Sequence, residues 1–117
     1  MSYTEAIDSA ATLTVSFDES GQKRFASVDY ALDGIGSATW GCNGGSFALR
    51  LTPSVGLVGL RPEDKGHVVG TFSVPLPAGG TSCAAPVLQN VSYTSLTLTN
   101  DASGHVYRLD PVSRTYP

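Results

Sequence analysis

The chain has 117 residues, of which 15% are charged, and its 7 Lys and Arg against 10 Asp and Glu give a net charge of −3. Ser, Thr and Gly number 14, 11 and 13, together 38 residues or about a third of the chain. So few cations exclude a nucleic-acid binder, which must displace counterions from phosphates. The composition also excludes a helical bundle, which Ala, Glu, Lys and Leu would dominate, and 41% hydrophobic residues exclude disorder.

The length suits one domain. Residues 1–10 are expected to form an N-terminal arm or a short helix, because Ser2 followed by Glu5 has the spacing of a capping box. Residues 11–117 are expected to form a β-sandwich domain. In Thr12-Leu13-Thr14-Val15-Ser16-Phe17 the apolar residues are all odd-numbered, the mark of a half-buried strand. After the turn Asp18-Glu19-Ser20-Gly21 the alternation resumes over Lys23 to Leu32, with Ala26, Val28, Tyr30 and Leu32 on one face, so these two runs read as a first hairpin.

Asp33-Gly34-Ile35-Gly36-Ser37 is expected to break the strand. Ala38 to Cys42 and Ser46 to Leu51 then flank Asn43-Gly44, a strong turn dipeptide, as a second hairpin with Phe47, Leu49 and Leu51 inward. Val55 to Leu60 reads as a strand, and Arg61 to Gly66 as an exposed charged loop. His67 to Val74 follows with Val68, Phe72 and Val74 on one face and Gly70 as a candidate bulge. The break Pro75-Leu76-Pro77-Ala78-Gly79-Gly80 excludes helix and central strand. Val91 and Tyr93 are out of phase with Leu96 and Leu98, which predicts a bulge near Thr94-Ser95. Asn100 to Gly104 reads as a turn into the returning strand His105 to Leu109, which Asp110-Pro111 stops. The sum is an all-β fold, a single antiparallel sandwich or small barrel of about seven to eight short strands.

The N-terminus lacks the basic and apolar regions of a signal peptide, and no window reaches the roughly 18 apolar residues of a membrane span. Few lysines, abundant hydroxyls and two cysteines lean toward an extracytoplasmic or secreted protein, with a cytoplasmic or virion-associated one as the alternative. Cys42 and Cys83 are expected to pair, closing a loop worth about 4 kcal/mol in the chain-entropy model, with buried free thiols as the alternative. Neither cysteines nor histidines have zinc spacing, so no metal and no cofactor is expected.

No Gly-x-Ser-x-Gly elbow exposes a nucleophile, and acids paired at turns are commonplace. Binding is therefore the favoured reading: a non-enzymatic interaction module, whether protein- or glycan-binding, inhibitory or self-assembling. Its candidate contacts are Trp40, the charged loop residues Glu63, Asp64 and Lys65, the extended Pro75-Leu76-Pro77, and Tyr107. The expected partner is another protein or a glycan, with homo-oligomerisation as an option. The alternatives are a small-ligand-binding β-barrel, and a small enzyme using His67 or His105 as its acid/base group in a cleft beside a carboxylate.

Overall fold

The computed structural model describes residues 1–22, 27–42, 44–63, 66–77 and 85–117. Its strands are β1 (Ser2–Ile7), β2 (Leu13–Glu19), β3 (Val28–Cys42), β4 (Gly45–Leu51), β5 (Ser54–Leu60), β6 (Val68–Val74), β7 (Val87–Asn100), β8 (Val106–Leu109) and β9 (Val112–Thr115). They form an all-β sandwich of two antiparallel sheets, one of three strands in the order β1-β2-β6 and one of six. In the larger sheet β3 and β7 pair along almost their whole length. Strands β5 and β4 lie end to end along the far side of β3, and β8 and β9 do the same along β7.

The proportions follow from strand length. At about 3.3 Å per residue the 15 residues of β3 extend roughly 50 Å, close to the molecule's longest dimension in extents of 56 × 21 × 19 Å. The radius of gyration, 16.7 Å, exceeds the roughly 13 Å of a compact domain of this size. Strands of the small sheet have six or seven residues, so they cover about half the length of the large one.

The core sits between the sheets. Leu13, Val15 and Phe17 of β2 and Phe72 of β6 meet Tyr30 and Leu32 of β3 and Leu96 and Leu98 of β7, all essentially inaccessible to solvent. The Phe17 ring lies 4.6 Å from that of Tyr30 and 5.9 Å from that of Phe72.

Several expectations are corrected by the topology. Residues 2–7 form β1, not a helix or an arm, because Tyr3, Glu5 and Ile7 alternate inward against β2. The run beginning at Leu13 pairs with β1 and β6, while Val28 to Leu32 belongs to the other sheet, so the expected first hairpin does not form. Gly34 and Gly36 do not break β3. They let it approach β7, since a Cβ at Gly34 would stand 2.5 Å from the Ser95 carbonyl oxygen and one at Gly36 would collide with that of Ser92. Gly70 pairs regularly with Phe17 and leaves room for its ring, so it is no bulge. The bulge at Thr94-Ser95 is present, as is the hairpin of β3 and β4. The turn from Asn100 closes with the Asn100 amide on the His105 carbonyl at 3.0 Å and Gly104 at φ 75°. Past Pro111 the chain adds the short strand β9, which the sequence reading stopped short of.

Candidate functional site

Glu19 is the most unusual side chain of the core. Alternation along β2 sends Asp18 outward and Glu19 inward, where it is 3% exposed. Its Oε1 accepts from the Tyr30 hydroxyl at 2.6 Å and from Asn100 Nδ2 at 2.7 Å, and its Oε2 from the Tyr107 hydroxyl. Burial pushes this carboxyl up, but the donors from Tyr107, Tyr30 and Asn100, with His105 nearby, outweigh it and hold the group below its ordinary value. The Tyr107 phenol is pushed up to about 12, first by its bond to Glu19 and then by burial. Asn100, fully buried, spends its remaining capacity on Gln22 Oε1 at 3.1 Å and on the amides of Ala102 and Ser103. The network ties β2 to β3, β7 and β8, with both carboxylate oxygens engaged. It is a clamp between the sheets.

The residues singled out from the sequence are scattered. Trp40 is buried, its ring stacked on Phe47 at 5.4 Å with 9° between planes. Glu63 is exposed in a short turn whose Gly66 amide bonds to its carbonyl at 3.0 Å. Pro75 and Pro77 are exposed while Leu76 packs on the core. Tyr107 is half-buried, its hydroxyl on Glu19 and its ring 4.3 Å from that of His105. Asp64, Lys65 and Cys83 lie outside the described residues, as do Lys23 to Ala26 of the expected second strand, and Cys42 stands at the end of β3.

Two further arrangements join some of these candidates to other residues. His67 Nδ1 meets Asp18 Oδ1 at 2.7 Å, with both side chains 42% exposed. A groove of about 350 Å³ runs between the β4–β5 connection and the end of β6, lined by Arg50, Pro53, Val55 and Tyr93 together with Pro75 and Pro77 of the candidate contact segment. Among the described residues no three His, Cys, Asp or Glu side chains cluster to hold a metal ion. No helix there is long and apolar enough to cross a membrane.

The largest continuous feature is the outward face of the six-stranded sheet. Registers place Arg50, Ser37, Ser92 and Ser113 in one row across β4, β3, β7 and β9, and Ala48, Thr39, Asn90 and Thr115 in another. Farther along, Asp33 meets Thr97 and then Arg108, and Ala31 meets Thr99. Most of these side chains are short hydroxyls, half-exposed or exposed. The sequence signal was the even spacing of Thr97 and Thr99, and of Ser37 and Thr39. The shared face of distant strands became visible only with the registers.

No protein-family model matches the chain, and neither the curated proteins nor the solved structures give a match.

Proposed function

We propose that this protein is a non-enzymatic interaction module that holds a polar macromolecular surface, a glycan or another protein, against the outward face of its six-stranded sheet. The observation that carries the reading is the hydroxyl array, with Ser37, Thr39, Ser92, Thr97 and Thr99 on the two central strands and few charges among them. A hydroxyl both donates and accepts, and short side chains, β-branched in Thr, lose little rotamer freedom when covered. A face with few charges also avoids most of the cost of desolvating ions. A sparsely charged, bifunctional surface of short side chains is therefore preorganised for contact.

The enzyme alternative gains the carboxylate beside His67 that it required, but both members of the pair are open to solvent and no described hydroxyl bonds to the far ring nitrogen. The extracytoplasmic location and the Cys42–Cys83 bridge belong to the same proposal, since a small exposed module benefits from a covalent staple.

The test is capture on the immobilised chain from its source material. Replacing Ser37 and Thr97 together by Glu should lower capture of the bound component at least about tenfold, because a buried unpaired carboxylate costs several kcal/mol. Replacing His67 and His105 together by Ala should leave capture unchanged. The reverse pattern contradicts the proposal.

A further inference from the structure

We propose that two copies of this chain pair edge to edge through β4, antiparallel about a two-fold axis at Ala48, and so join their six-stranded sheets into one. The inference rests on the reading of the chain as an interaction module and names one of its partners, a second copy.

Strand β4 pairs with β3 and, among the described residues, with nothing else. Its register closes at Cys42 opposite Gly45 across a two-residue connection, so the doubly bonded pairs are Cys42/Gly45, Trp40/Phe47, Ala38/Leu49 and Gly36/Leu51. The Gly34 amide donates to the Pro53 carbonyl at 3.0 Å, which places the even-numbered groups of β3 on this same side. Ser46, Ala48 and Arg50 therefore aim their amides and carbonyls away from β3, as an open row of donors and acceptors.

The other edges are blunted or flanked: β6, the second edge of the small sheet, has β5 beside it, with Leu60 against Gly70. β5 carries Gly56 and Gly59, the latter at φ 71°, and runs into Arg61-Pro62. β8 and β9 have four residues each and carry Arg108 and Arg114. β1 is tied down by Arg114 Nη1 on the Ile7 carbonyl at 2.9 Å and by the Asp110 amide on the Tyr3 hydroxyl at 3.1 Å. Short length, charge, glycine irregularity and side-chain cover are the usual defences against edge pairing. β4 has seven residues in unbroken register, no proline and one charge.

A second copy fits this edge by symmetry. With Ala48 opposite its own counterpart, Ser46 faces Arg50 of the second copy, and Phe47 faces its Leu49. Those two apolar side chains are only half-buried in one chain, so the pairing covers them. The small exposed Ala48 sits at a doubly bonded pair, the wider kind at about 5.5 Å between Cα atoms, and puts no bulk on the axis. The two Arg50 residues are offset by four residues along the strand, roughly 13 Å, beyond the screening length of about 8 Å at physiological salt. The hydroxyl faces of the two copies then form one surface, and each contact made by one copy raises the effective concentration for the other.

Sedimentation of the full chain from micromolar to millimolar concentration should show the 12.1 kDa monomer giving way to a species of twice that mass. Ala48→Asp and Ala48→Lys each oppose like charges across the axis and should weaken the dimer about tenfold or more, with unchanged circular dichroism. An equimolar mixture of the two should restore it as a heterodimer. Ala48→Pro, which removes an outward amide, should also abolish it. A chain that stays monomeric throughout, or charged variants that dimerise like the parent, would overturn the inference. If capture by the hydroxyl face persists in a strictly monomeric chain, only this inference falls. If the dimer persists without capture, the proposed contact face falls instead.

Discussion

Glu19 and its neighbour Asp18 are adjacent acids with opposite fates, because successive residues of a strand point to opposite faces. Read as a turn, Asp18-Glu19 hides this difference; read as the last two residues of β2, it predicts one acid outside and one inside. What the sequence does not carry is that Tyr30, Asn100 and Tyr107 converge on the inner one. The folded Glu19 carboxyl lies below its ordinary 4.5, so its contribution is present at neutral pH and is lost as the pH falls below that value. Glu5 runs the other way. Burial and then the Asp110 carboxylate push its carboxyl up, and its buried Oε2 has no hydrogen-bond partner among the described residues, so its contribution fades as the pH rises through the folded value. Glu19→Gln and Tyr107→Phe should each cost about 1.5–3 kcal/mol at pH 7, as expected for a lost bond to a charged group. Glu19→Gln should also flatten the acid limb of stability in denaturant titrations. An acid limb as steep as the parent's would show that Glu19 is not the group titrating there.

Among the elements, those with strict period two were legible. Leu13, Val15 and Phe17, then Val68, Phe72 and Val74, lie inward as their spacing requires. Misreadings came where a local signal had two meanings. Ser2 and Glu5 satisfy a capping box and an alternating strand equally well, and only the pairing partner of β1 decides. Gly34 and Gly36 suggest a break in isolation, but in β3 they make room for a neighbouring backbone. Gly36→Ala should therefore destabilise the fold by about 1–3 kcal/mol, the usual cost of overpacking. Gly45→Ala, where an added Cβ would meet nothing closer than 3.6 Å, should be near neutral. Equal effects in thermal melts would refute the close-approach account of β3 and β7.

At the scale of the whole molecule, the low charge and the hydroxyl-rich composition acquire a location. Serines and threonines that alternate with the core along β3 and β7 line up across four strands, on a sheet about twice as long as the one that covers its other face. That asymmetry leaves an elongated body, 56 Å in its long dimension, with a broad, sparsely charged hydroxyl face on the large sheet and a shorter one, where Thr4, Ser16 and Thr71 share a row, on the small sheet. No single stretch of sequence states this, because the rows are assembled from residues some 60 positions apart, such as Ser37 and Ser92. The hydroxyl face is a product of register, while the core that supports it is a product of periodicity.

The most direct measurement is photo-crosslinking in the source cells or medium. A photoreactive residue is placed at Thr97 or Ser37 on the face of the large sheet, or at Thr14 or Ser73 on the outer face of the small one. Adducts to a glycan or a protein from Thr97 and Ser37, with none from Thr14 and Ser73, are the predicted result. Adducts from the small sheet alone, or none from any position, would contradict the assignment of the hydroxyl face as the site of contact.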